Sequence, residues 1–156
     1  MPDAFRIGMS NTPDEIVPPV IEGTVLVGVR DLPPRGGAEY LPIAQSEPIA
    51  QIGGSIFVYR GRFEVPLVAA LSRVRRSAQF ARLNLSEEAL TEGREAVNLA
   101  AEDPRTHLAL GLALLRVGQK TEARREFAEV VELTKSNPAL FRAEEVRARL
   151  EIERLN

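Results

Sequence analysis

His107 is the only histidine in a chain of 156 residues, and cysteine is absent. Nucleophilic catalysis at a hydroxyl needs a base beside it, so any imidazole-based mechanism would have to run through His107. A lone imidazole is also a poor metal site, because zinc asks for three or four ligands and no thiolate is on offer. Carboxylates pair up at Glu87/Glu88, Glu144/Glu145 and Glu151/Glu153, an arrangement able to relay a proton. All three pairs fall on polar helical faces, and the last two have arginines three or four residues away, so solvated side-chain pairing accounts for them. Gly36-Gly37 and Gly53-Gly54 are too short to cradle a phosphate and no Lys-Ser or Lys-Thr follows, so each reads as a turn. Arg73, Arg75, Arg76 and Arg82 form the densest basic cluster. Their aromatic neighbour Phe80 is needed by the helix core, which leaves the cluster as a solvated face with nothing to stack on a base. The expectation is therefore a non-enzymatic chain with no catalytic residue, no metal ligand and no cofactor.

The elements that carry these residues fall into two parts with different grammar. Residues 1–65 hold eight of the eleven prolines and eight of the eleven glycines. Such residues break helices, so this part is turns, loops and short strands, and 66–156 is helix punctuated by turns. Thr24–Val29 and Ser55–Tyr59 carry the β-branched and aromatic signature of strands, apolar enough that both faces should be covered. Two strands alone are marginal, so Ala4–Met9 or Phe63–Val65, the helices or another chain should support them. Residues 10–20 and 30–40 read as loops. A net charge of −2, split −3 and +1 between the parts, offers no field for nucleic acid or an anionic membrane. The longest apolar runs, Val65–Leu71 and Leu108–Leu115, fall short of the roughly 20 residues that span a bilayer. Met1-Pro2-Asp3 does not open a signal peptide. No compartment can be assigned from these features.

Shifting the helical part by 34 residues aligns Pro104 with Pro138, Ser77 with Gly111, Phe80 with Leu114 and Leu83 with Val117. The same shift aligns Asn84 with Gly118, Ala89 with Ala123, Ala96 with Val130 and Leu99 with Leu133. Eight agreements in one register indicate a duplicated helix–turn–helix. Ser77, Gly111, Ala89 and Ala123 let antiparallel helices approach, and Phe80, Leu83, Leu110, Leu114 and Phe127 fill the seam. Asn84 and Gly118 suit a left-handed residue after a helix end. Ser86 and Thr121 are candidate N-caps, and Pro104 and Pro138 candidate first-turn prolines.

Leu110-Gly111, Leu114, Ala123 and Phe127, with Pro138 closing, resemble the tetratricopeptide repeat (TPR) family. Ser77, Phe80 and Ala89 fit an earlier copy, in which Gly93 replaces the aromatic; Arg73 and His107 stand at the tryptophan position of the two copies. The resemblance covers about 85 residues and implies a mainly α fold: an α-α superhelix of two units, 70–103 and 104–137, with the first helix starting as early as Pro66. A capping helix at 138–154 should pack through Ala143, Val146 and Leu150, leaving Glu144, Glu145, Arg147, Arg149 and Glu151 in water. A small β-containing segment, 1–65, precedes this helical domain, 66–156.

In TPR proteins the first helix of each unit lines a concave groove for partner peptides. Carried onto this chain, the lining would be Leu71, Val74, Arg75, Ala78, Ala81 and Arg82, then Arg105, Leu108, Ala109, Leu112, Leu115 and Arg116. The carboxylate clamp of the chaperone-tail binders is missing, since Val74, Ala78, Leu108 and Leu112 hold its positions. An apolar floor with an arginine rim remains, and an exposed patch of that kind needs a cover. This chain's own N-terminal segment, a second copy, or a partner's apolar helix or strand could supply it. On that view Leu108, Leu112 and Leu115 form a face buried in the folded state. The expected role is a protein or peptide interaction module, with neither nucleic acid nor membrane as partner. Glu47–Tyr59 also resembles a stretch in the extracytoplasmic C-terminal region of bacterial membrane-embedded, polyprenyl-phosphate-sugar glycosyltransferases. That resemblance implies an alternative, an accessory domain of such an enzyme whose membrane segments lie upstream.

Overall fold

A computed structural model describes residues 4–6, 16–32 and 38–156. Its chain is mainly helical with a small N-terminal sheet, and it divides into two compact units, up to Ala69 and from Ala70 onward.

The first unit is built on four strands: β1 (Ala4–Arg6), β2 (Val20–Gly28), β3 (Ala50–Ile52) and β4 (Ile56–Glu64), in the order β1-β2-β4-β3. β2 and β4 pair antiparallel along their full length, from Val20 opposite Glu64 to Gly28 opposite Ile56. β1 adds to β2 in parallel, and β3 folds back on β4 through the turn at Gly53-Gly54. Support for the two main strands therefore comes from 4–6 and 50–52, whereas Phe63 and Glu64 simply continue β4. Residues 7–9, and the parts of the expected loops at 10–15 and 33–37 (Gly36-Gly37 among them), lie outside the described residues. Within the rest of those loops, Val20 already belongs to β2, and 38–40 make a 3-10 turn leading into α1 (Leu41–Ala44).

One face of the sheet carries the apolar core of this unit. Ile21, Val25 and Val27 of β2 and Tyr59 and Phe63 of β4 pack with Ile43, Val65 and Val68. The expectation that both faces of each strand are covered holds only in part: Val58, on the other face of β4, is buried like its neighbour Tyr59. Thr24, Leu26 and Gly28 are half-buried, and Arg60, Arg62 and Glu64 on the outer face of β4 are exposed, because strand alternation sends them away from the core.

The helical unit follows through α2 (Pro66–Arg82), α3 (Ser86–Leu99), α4 (Pro104–Arg116), α5 (Lys120–Leu133) and α6 (Arg142–Arg154). The 34-residue register is written into the backbone. Asn84 and Gly118 both take positive φ, 60° and 81°. In each turn the residue after them donates to a carbonyl five residues back: Leu85 to Phe80 and Gln119 to Leu114, both at 2.9 Å. The companion bonds, Asn84 to Ala81 and Gly118 to Leu115, complete a Schellman motif twice. That closure puts Leu85 and Gln119 at the N-caps of α3 and α5 without a capping side-chain bond, so Ser86 and Thr121 do not cap. Asp103 caps α4, accepting from the amide of Arg105 at 3.0 Å, with Pro104 in the first turn.

Ala89, Ala123, Phe127 and Val130 are fully buried in one apolar cluster with Leu90, Leu110, Leu114 and Ala148. Gly111 is small for a reason: a Cβ there would come within 2.6 Å of the Phe127 ring. Ser77, its counterpart, instead donates its hydroxyl across the first hairpin to the carbonyl of Ala89 at 2.8 Å. Leu83 was expected in the seam but is 59% exposed, since it lies beyond the last residue of α2.

The last helix departs most from expectation. It begins at Arg142, not at Pro138, because a 3-10 turn over Thr134–Ser136 and a further turn intervene. Ala143, Val146 and Leu150 are exposed, and Ala148 and Glu151 are buried. The packed face is the opposite one, completed by the partly buried Ile152 and Leu155.

Candidate functional site

The helical unit holds a groove of about 710 Å³ lined by side chains of α2, α4 and α6. Val74, Ala78 and Ala81 of α2 and Leu108, Ala109, Leu112 and Leu115 of α4 form its apolar floor. Leu108, Leu112 and Leu115 are half-buried: each leans on the hairpin core and keeps its outer side on the groove. Within the helical unit itself the face expected to be buried is a floor that is partly open. Arg82, Arg105 and Arg116 also line the groove. Leu71 and Arg75 do not line it; Leu71 is half-buried and Arg75 exposed on α2.

Glu144, Arg147, Glu151 and Arg154 close the groove from α6. Of Glu144, Arg147 and Glu151, all expected in water, Arg147 is exposed, Glu144 is half-buried and Glu151 is buried. Their spacing of three, four and three residues was the available signal, since it puts all four on one helical face. Glu151 is only 5% exposed, and one of its oxygens accepts from Arg147 at 2.8 Å and from Arg154 at 3.1 Å. Two guanidinium groups around one carboxylate allow it to sit against the core.

The basic residues differ in how they are engaged. Arg105 closes a fork on Asp103, with bonds of 2.8 and 2.7 Å, and lies over the Phe141 ring at 5.7 Å. Arg82 and Arg116 make no ion pair among the described residues. Arg73 and Arg76, expected as a solvated patch, turn instead to Glu92 on α3 at 2.8 and 3.3 Å, and Arg76 also covers the Phe80 ring at 5.2 Å.

His107 lies at the α4–α5 seam, away from the groove floor. Its Nδ1 meets Glu126 at 2.7 Å and its Nε2 meets the carbonyl of Ala101 at 2.8 Å. The hydrogen bond to Glu126 raises its pKa above 6.5 against the opposing pull of burial, and the Ala101 carbonyl and the charge of Glu129 add to the rise. Both ring nitrogens are committed, so neither is left to take a proton from a nucleophile. Among the described residues no three His, Asp or Glu side chains gather where they could hold a metal ion. No described helix is long and apolar enough to cross a membrane. In comparisons with known proteins, no family model, curated protein or solved structure matches the chain.

Proposed function

We infer that the chain is a non-catalytic protein–protein interaction module of the tetratricopeptide type, whose groove receives an apolar segment of a partner protein. The reading takes the hairpins α2–α3 and α4–α5 as two repeat units and α6 as the first helix of a further, unpaired layer. The observation that carries it is the floor itself. Equivalent faces of two helices, in one 34-residue register, set Val74 and Leu108, Ala78 and Leu112, and Ala81 and Leu115 along a single open groove. A floor of that composition gains from being covered, at about 25 cal/mol per Å² of apolar area. The chain's free polar groups there lie at the margin, which suits orientation more than chemistry.

The test is a methyl NMR titration of the full chain with a synthetic amphipathic helix that has a leucine–alanine face and an uncharged polar remainder. Perturbations should concentrate on Leu108, Leu112 and Leu115 and disappear in Leu112→Glu, which should still fold because Leu112 is only half-buried. Absence of perturbation up to about 1 mM peptide, or perturbation spread elsewhere, rejects the docking role.

A further inference from the structure

We propose that the groove's occupant is an amphipathic α-helix bearing carboxylates along one edge, docked so that those carboxylates meet Arg82 and Arg116. This builds on the docking role inferred above and adds the chemistry and polarity of the partner.

Three helices line the groove, and each ends in arginine: α2 at Arg82, α4 at Arg116 and α6 at Arg154. All three arginines reach the groove. Because α3 and α5 each reverse the chain direction, α2, α4 and α6 run the same way, so their last residues share one edge. Arg154 is spent on Glu151. Arg82 and Arg116 occupy the same place in the two hairpins, are exposed, and lack a counter-charge among the described residues. A last-turn arginine suits a helix C-terminus. That preference accounts for the cation but leaves its hydrogen-bond donors unused. The start of α4 offers no such pair of donors, since Arg105 is closed on Asp103. The groove is therefore electrostatically polarised, with the guanidinium groups of Arg82 and Arg116 at the edge where α2 and α4 end and the carboxylate of Glu144 near the start of α6.

A neutral partner would strand two guanidinium groups at the border of a drying contact, and a basic one would be repelled. Carboxylates there form charge-assisted, two-pronged bonds. The floor also selects the partner's secondary structure. It presents aliphatic side chains of helices whose backbone groups are already paired. An extended strand laid on it would leave its own N–H and C=O groups without partners, whereas a helix satisfies them internally. Neighbouring packed helices stand roughly 10 Å apart, so acids about seven residues apart on a helix crossing them would reach both arginines.

The experiment compares two labelled synthetic helices with the same leucine–alanine face by fluorescence anisotropy on the full chain. One carries glutamates at seven-residue spacing on one edge, and the other carries lysines at those positions. The glutamate peptide should bind on the order of tenfold more tightly, with the advantage shrinking in high salt. Arg82→Glu/Arg116→Glu should invert the preference while leaving the melting temperature near that of the parent. Equal binding of the two peptides, or a preference untouched by the double variant, overturns the acidic-edge assignment while the docking role stands. Absence of groove perturbations by the uncharged peptide on the parent chain in the earlier titration is the separate result that removes the docking role. If sedimentation shows the chain pairing with itself through the groove, undisturbed by excess glutamate peptide, a second copy is the occupant and the assignment falls.

Discussion

Glu126 holds His107 across the second helical hairpin at 2.7 Å, and one repeat earlier Glu92 holds Arg73 across the first at 2.8 Å. Each pair spans 19 residues, and the two pairs are 34 residues apart at both ends. The same position of both hairpins thus holds a nitrogen base tied to a carboxylate on the following helix. The two copies of this tie differ in one respect. Arginine is charged at any relevant pH, while histidine is not.

The second tie should make the helical unit more stable in mild acid. Both neighbours of the ring, a carboxylate and a carbonyl, accept hydrogen bonds, and neutral imidazole has one N–H to give. Only the protonated ring satisfies both. With its folded pKa raised above 6.5, His107 contributes stability that is complete below the unfolded value and is lost as pH climbs through the folded one. Urea midpoints measured across neutral pH should therefore fall toward the alkaline side. His107→Gln should flatten that slope, and His107→Arg should flatten it at a higher midpoint. As the chain has a single histidine, an unchanged slope in both variants would remove the imidazolium tie.

The first tie predicts an asymmetric double-mutant cycle. Arg73 Nε already lacks a partner, and both Arg73 and Arg76 lean on Glu92. Glu92→Gln should cost about 1–2 kcal/mol, less than a fully buried pair because both guanidinium groups keep some solvent. Replacing the pair as Arg73→Met/Glu92→Leu should recover most of it, since an apolar pair of similar volume leaves only Arg76 without its carboxylate, and Arg76 keeps solvent and the Phe80 ring. Equal losses for the single and double changes, read by urea unfolding, would argue against an ionic role.

Gly111 sets how closely α4 approaches α5. An added methyl would meet Phe127 Cε1 at 2.6 Å and Cδ1 at 2.9 Å, and that ring is fully buried with nowhere to retreat. Gly111→Ala should cost about 1–3 kcal/mol by overpacking. Adding Phe127→Leu should return part of that loss, so the two changes should be less than additive. Gly118→Ala acts by a different route, forcing a side chain into φ of 81° with open space around it, and should cost about 1 kcal/mol. No second change nearby should relieve it.

These contacts show why the hairpins were readable in the sequence and α6 was not. Asn84 and Gly118, or Ala89 and Ala123, could be checked against each other, whereas the floor of the groove was expected only from the tetratricopeptide resemblance. α6 has no second copy. Pro138 suggested a first helical turn, yet helix begins only at Arg142, so the register breaks where no repeat exposes the break. Hydropathy then favoured Ala143, Val146 and Leu150 over a face containing Glu151. What hydropathy cannot see is that Arg147 and Arg154 neutralise that carboxylate and let it be buried. The cross-hairpin ties were hidden for a similar reason. Arg73 and Glu92 lie on different helices, and a solvated patch is the default reading of four clustered arginines.

The orientation of α6 yields the sharpest ranking of variants. Ala148 is completely buried against α5 and its neighbours, whereas Val146 and Leu150 are 51% and 45% exposed. Placing a carboxylate at 148 would force an unpaired charge into the apolar cluster. Ala148→Glu should therefore cost several kcal/mol, about 3–5, or prevent α6 from docking. Val146→Glu and Leu150→Glu should each stay within about 0.5 kcal/mol of the parent, despite changing residues a hydropathy plot would put in the core. Hydrogen exchange resolves the mechanism, because Ala148→Glu should lower protection of α6 first and of α2–α3 last. If Val146→Glu instead proves the costly change and Ala148→Glu the mild one, α6 packs through its other face. Glu144, Arg147, Glu151 and Arg154, which share that face, then leave the groove together.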